Sequence, residues 1–182
     1  MVINLGSSDG FYALGLAKNM IQSHVIGFEQ NDNYKKRFER NIILNNLSNV
    51  EACGLCDLNQ FKTVLKNSSK KKTFLFLDIE GSEAEFLDLE KISSLKYCDI
   101  IVELHDFVCK DIEAILKSRF EKTHEIEIIA QGGRNPHVQE LEFLPEPIKF
   151  ILMAEYRPPN MKWMNLTSKI SVKNATKNKS KN

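Results

Sequence analysis

Apolar residues fall along this chain in seven short runs, several of which close on a glycine or an acid. Val2, Ile3 and Leu5 form the first, with no alternation, as a strand covered on both faces would show. Residues 24–29, 50–53, 73–77 and 99–104 predict four more strands, of which 73–77 is the most apolar. Between them the period changes. Phe11, Leu14, Ala17 and Ile21 recur at helical spacing, as do Tyr34, Phe38 and Ile42 after a cap at Asp32. A short helix is expected over 57–65, and a longer one over 109–120 with Ile112, Ile115, Leu116 and Phe120 on one face. Ser82 reads as the cap of a helix carrying Glu83 and Glu85 in its first turn, where the dipole favours acids. Residues 124–129 alternate polar with apolar, as a less covered edge strand does. After Pro145 and Pro147, residues 148–154 read as a last strand. From Asn165 the composition collapses to Asn, Lys, Ser and Thr, which predicts one domain over 1–164 and a disordered tail over 165–182.

Strands and helices in alternation imply a parallel sheet with helices on both faces, an α/β architecture of three layers. The last two predicted strands are joined by a polar loop without a helix, so they can pair antiparallel. The expectation is a Rossmann-like, mostly parallel seven-stranded sheet with an antiparallel last strand.

Composition narrows the partners. With 182 residues there is room for one α/β core, and a formal net charge of +1 argues against nucleic acid as a partner. No run is long enough to span a bilayer and no charged-then-apolar leader is present, so the expectation is a cytoplasmic protein with no membrane contact. Cys53 and Cys56 have CxxC spacing, but Cys98 and Cys109 do not complete a zinc set, and free thiols are expected.

Ligands of open α/β sheets lie across the carboxyl ends of the strands. There the chain places a turn with Gly6 and Gly10, whose backbone amides and following helix suit a polar ligand head. Glu29 ends the second strand, where an acid receives the hydroxyls of a ribose. Asp57 either meets an adenine amino group or caps a helix. Two further clusters, Asp78-Ile79-Glu80-Gly81-Ser82-Glu83 and Glu103-Leu104-His105-Asp106, follow central strands and should lie side by side. Such carboxylates with an imidazole either deprotonate a hydroxyl or hold a divalent ion, for which Asp78, Glu80 and His105 are the first ligands to test. Arg157 is a candidate for bridging the acids and Arg134 for holding an anionic or polar substrate; Trp163 either walls a substrate pocket or, as the favoured reading, packs on the core or the sheet edge.

In these elements the sequence resembles the FkbM-type family of S-adenosylmethionine-dependent methyltransferases, from Val2 to about Trp163. The residues that carry the likeness are the turn from Asn4 to Tyr12, Glu29, the Asp78-x-Glu80-Gly81-x-Glu83 element and the strand ending Glu103-Leu-His105-Asp106. The resemblance implies a class I methyltransferase fold, S-adenosyl-L-methionine as cofactor, and O-methylation of a sugar or other small-molecule acceptor. It implies that Gly6, Ser7 and Gly10 line the methionine part of the cofactor, that Glu29 takes the ribose and that Asp78 sits beside the transferring methyl; Asn4, Ser8, Asp9, Gln30 and, where it does not cap a helix, Asp57 complete the expected cofactor contacts. Asn4 stands where the family has an acid for the cofactor's ammonium, so Asp9 is expected to supply that charge. His105, with Glu80 or Glu103 beside it, is expected to take the acceptor's proton, and Asp78 to position the reacting groups. Family members carry an upstream segment over the cofactor. The chain as given starts at the first strand, so the expectation is a shortened member or cover from a partner, including a second copy in a homo-oligomer. A non-catalytic cofactor-binding protein and a nicotinamide-dependent oxidoreductase are the alternatives; Gly6-x-x-x-Gly10 without a third glycine fits the latter poorly.

Overall fold

The computed structural model describes residues 1–68, 72–130, 132, 135–153 and 161–170. Its centre is a sheet of seven strands among these residues: β1 (Val2–Leu5), β2 (Val25–Phe28), β3 (Val50–Cys53), β4 (Thr73–Leu77), β5 (Cys98–Leu104), β6 (His124–Ala130) and β7 (Lys162–Ser168). Their spatial order is β3-β2-β1-β4-β5-β7-β6. The first five run parallel, and β7 pairs antiparallel with both β5 and β6. The expected mixed sheet is therefore present, with the reversed strand inserted between β5 and β6.

Six α-helices among the described residues cover it: α1 (Phe11–Asn19), α2 (Asp32–Leu44), α3 (Leu58–Ser68), α4 (Glu83–Phe86), α5 (Ile112–Phe120) and α6 (Glu146–Met153). One side of the sheet carries the larger core, where Ile3, Leu75, Ile100 and Leu166 meet Phe61 of α3, Leu87 and the α5 residues Ile112, Leu116 and Phe120. On the other side Val2, Val25 and Val50 meet Ala13 and Ala17 of α1 and Phe38 of α2. α1 lies close on the sheet and turns small residues inward. Phe11 and Ile21, expected on its buried face, are each 75% exposed. The cap of α2 is Asn31, whose side chain accepts from the amides of Asn33 and Tyr34; Asp32 is the first helical residue.

The largest departure lies near the C-terminus. Residues 148–153 are the end of α6, with Pro147 in its first turn, where a missing amide costs nothing. The last strand is β7, so residues 165–168, expected in a disordered tail, are sheet. Met164, Leu166 and Ser168 are buried in it at period two. Residues 171–182 lie outside the described residues, as do Arg134 and Arg157. β6 is the edge strand its alternation predicted. No described helix is long and apolar enough to cross a membrane.

Candidate active site

Strand order reverses between β1 and β4, and a ligand crevice opens at the carboxyl ends of such a pair. A cleft of about 470 Å³ lies there, a size suited to a small organic ligand. Leu5, Gly6, Ser8, Glu29, Gln30, Asp78 and Glu80 line it together with the apolar side chains of Phe28, Leu55, Ile79 and Phe86.

The turn after β1 is built from within. Gly6 has φ +75°, and a Cβ there would stand 1.7 Å from the carbonyl oxygen of Asp78, so only glycine lets the turn close on the end of β4. At Gly10, φ +94°, a Cβ would strike the Phe38 ring. The amides of Gly6 and Ser7 donate to the Phe28 carbonyl, and that of Gly10 to Ser7. These amides were expected to face the ligand; they hold the turn against β2 instead. The turn contributes shape, and these three amides are spent inside the fold.

Glu29 is the polar centre of the cleft. Its Oε2 accepts from the Ser8 amide at 2.8 Å and its Oε1 from the Asn31 amide at 2.7 Å. A carboxylate has about four acceptor positions. Two backbone bonds lock the group in place and leave one position on each oxygen facing the cleft.

Not every expected contact reaches this space. Asn4 is fully buried within the sheet, where its Nδ2 donates to the Phe76 carbonyl at 3.2 Å; its Oδ1 has no hydrogen bond. The Ser7 hydroxyl donates back to the Asn4 carbonyl. Asp9 borders a separate depression between α1 and α2, not the cleft, and Gly10 packs on Phe38. Asp57 takes the capping role, its Oδ1 accepting from the Gln60 amide at 2.7 Å. Cys56 is buried beside Leu55 in the cleft wall, and burial pushes its thiol up to about 12; the four cysteines are free.

Asp78 and Glu80 face two ways, lining the cleft and also reaching His105, which follows β5 and is 1% exposed. His105 Nδ1 lies 2.6 Å from Glu83 Oε1, while Nε2 stands 3.3 Å from Glu80, 3.5 Å from Asp78 and 3.8 Å from Glu103. Burial alone would lower the histidine's pKa; the hydrogen bond to Glu83 and the charges of Glu83, Glu80 and Asp78 outweigh it and raise the value. Glu80 itself sits at φ +52°, a strained conformation for a residue with a side chain.

Glu83 is the residue whose role sequence reasoning missed. It was assigned to the helix dipole, yet it is fully buried, pairing with His105 and accepting from the Gly81 amide at 3.0 Å. Arg119 of α5 holds α4 from its far end, donating from Nη1 to the carbonyls of Ala84 at 2.5 Å and Leu87 at 2.9 Å. Trp163 packs with Phe76 at 5.2 Å and Tyr12 at 6.0 Å between ring centroids, in the packing role expected of it.

This strand order, with its reversed strand and switch-point cleft, is the Rossmann-like class I methyltransferase fold. Matches to solved methyltransferases bear it out. The human methyltransferase 10 domain containing protein is 15% identical, with a TM-score of 0.59 over 92% of this chain and 70% of that one. Precorrin-6y C5,15-methyltransferase from Geobacter metallireducens GS-15 is 13% identical, with a TM-score of 0.57 over 92% of this chain and 79% of that one. Sp1610 from Streptococcus pneumoniae, a putative tRNA (m1A22) methyltransferase in complex with S-adenosyl-L-methionine, is 12% identical, with a TM-score of 0.57 over 92% of this chain and 65% of that one. No protein-family model matches the sequence, and no curated protein matches it. Because one neighbour is described as acting on tRNA, the near-neutral charge of this chain does not exclude nucleic acid as a partner.

Proposed function

We propose that this chain is an S-adenosylmethionine-dependent methyltransferase of FkbM type that methylates a hydroxyl on a sugar or other small molecule. The observation that carries the reading is Glu29, fixed by two backbone amides at the end of β2 with an acceptor position left on each oxygen. Two adjacent ribose hydroxyls are the matching donors. The residues present fit the cofactor: Phe28, Leu55, Ile79 and Phe86 give apolar wall for a purine, and Asp78 and Ser8 are polar groups for the amino-acid end. When bound, the cofactor supplies a methyl group on a positively charged sulfur.

The protein's own part is to hold and align. Glu29 binds the sugar, and Asp78 and Glu80 carry negative charge from the cleft to His105. An acceptor hydroxyl brought to Asp78, Glu80 and His105 is oriented by them and loses its proton there, which is the step a neutral alcohol needs before it can attack. The FkbM assignment is supported by the Asp78-x-Glu80-Gly81-x-Glu83 element, whose acids converge on His105.

Calorimetry with S-adenosylhomocysteine and NAD tests the reading. S-adenosylhomocysteine should bind, and Glu29→Ala should weaken it by about 100-fold, the worth of two charge-assisted hydrogen bonds. Glu29→Gln keeps the shape and one acceptor but turns an N–H₂ toward one of the two backbone amides, and it serves as the isosteric comparison. Binding of NAD alone, or binding of S-adenosylhomocysteine unchanged in both variants, would reject it.

A further inference from the structure

We propose that Asp78, Glu80 and His105 form a binding site for a first-row divalent cation, with Glu83 fixing the histidine from behind. The site itself stands on these side chains alone; only its use in activating an acceptor rests on the methyltransferase reading.

Three observations carry it. First, the ligand atoms converge. One atom from each of Asp78, Glu80 and His105 lies within 4.8 Å of the others. Ligands at right angles around a cation with bonds of about 2.1–2.3 Å stand about 3.0–3.3 Å apart. The Nε2 distances of 3.3 Å to Glu80 and 3.5 Å to Asp78 need an adjustment of only a few tenths of an ångström.

Second, the two nitrogens of His105 differ. Nδ1 makes one short bond to Glu83 at 2.6 Å. Nε2 faces carboxylate oxygens at 3.3, 3.5 and 3.8 Å, each too far for the short bond a proton would make. A histidine that ligates a metal gives its other ring N–H to a carboxylate in this way, which fixes the tautomer and aims the free nitrogen. Asp78 Oδ1, one of the atoms so aimed, is buried and has no hydrogen bond.

Third, the charge is unbalanced. Among the described residues, His105 is the one cationic group paired with Asp78, Glu80 and Glu83. Even a protonated imidazole would leave excess negative charge at a half-enclosed site, and a divalent cation offsets it.

One imidazole with two carboxylates suits Mn²⁺, Fe²⁺ or Zn²⁺ better than Ca²⁺, which takes oxygen ligands alone. Three protein ligands leave positions open, as catalytic sites do, and the Glu80 side chain, 79% exposed, marks the open side next to the cleft. An acceptor hydroxyl that ligates the cation releases its proton to solvent more readily. Nε2 then serves as a ligand and not as a base.

Mn²⁺ titrated into the full chain without any nucleoside, followed by electron paramagnetic resonance, is the test. One Mn²⁺ per chain should bind saturably, with ¹⁴N coupling in the spin-echo spectrum. Glu80→Gln and Asp78→Asn should each weaken binding at least tenfold, and Glu140→Gln, on an exposed turn elsewhere, should leave it unchanged. His105→Gln should abolish the ¹⁴N coupling; if that variant fails to fold, the exposed Glu80→Gln still decides. No saturable binding, no ¹⁴N coupling, or equal binding by Glu80→Gln overturns the proposal. S-adenosylhomocysteine binding without a Mn²⁺ site would overturn it while leaving the transferase reading in place, and the reverse pattern would do the opposite.

Discussion

Glu83 and His105 are 22 residues apart in the chain and 2.6 Å apart in the fold, and neither side chain is more than 1% exposed. A pair so enclosed is costly to break from one side, because the group left behind keeps its buried charge without a partner. Glu83→Ala should therefore destabilise the protein by about 3–5 kcal/mol. Glu83→Gln, which keeps an acceptor for Nδ1–H but not the charge, should lose less. Urea unfolding of the two variants measures the order; equal losses would mean that charge plays no part in the pair.

Arg119 secures the short helix that carries Glu83. Removing its two bonds to the Ala84 and Leu87 carbonyls with Arg119→Met should cost about 2 kcal/mol, since the side chain is partly exposed. Amide exchange at Leu87, whose N–H bonds the Glu83 carbonyl, should quicken before that of the β4 strand. Hydrogen exchange read by mass spectrometry distinguishes this local loosening from a global loss.

Gly6→Ala should be among the most damaging single substitutions in the chain. The methyl group meets the Asp78 backbone, and the φ of +75° strains any side chain besides. Left-handed strain and overpacking together suggest a loss of about 3 kcal/mol or more in chemical denaturation. The cleft should suffer with it, so S-adenosylhomocysteine binding is expected to fall even where the variant folds.

His124 sets an acid-side dependence of stability. It is buried, its Nε2 2.9 Å from the Cys98 carbonyl and its Nδ1 2.9 Å from the Thr123 hydroxyl. Burial holds its pKa below the ordinary 6.5, against the raising effects of the Cys98 carbonyl and the Asp99 charge; Lys169 adds to the lowering. The folded chain thus binds fewer protons at this site than the unfolded one once pH drops below 6.5. Stability conferred by the neutral ring is whole above that value and is lost as pH falls toward the folded pKa. Thermal unfolding of wild type and His124→Gln across pH 7 to 5 should show the wild type falling more steeply; parallel curves would count against it.

Much of this was legible in the sequence where local pattern and tertiary role agree. The apolar run at Thr73–Leu77 is a central strand because its interior is apolar throughout, and the position of Glu29 at the mouth of the cleft could be read because the apolar run of β2 stops just before it. The C-terminal third misled because Ile148–Met153 is too short an apolar run for its period to tell helix from strand. Within β7, Asn165 and Thr167 lie on the face away from the larger core, so polar composition masked the alternation of Met164, Leu166 and Ser168. Glu83 was hidden for a different reason. Its spacing in a helix turn is what a dipole-stabilising acid shows, and although its cluster was expected beside that of His105, nothing local singles it out from Asp78 and Glu80 as the histidine's buried partner.

The inserted position of β7 has a bearing on how the molecule comes to be made. Among the described residues β6 has a single neighbour, and that neighbour is not synthesised until residues 162–168 emerge. Until then β6 has nothing to pair with, and β5 presents a bare edge to whatever else is nearby. Ribosome-bound chains stalled short of residue 162 should therefore be prone to association through that edge, and release of the final strand is the event that seals it.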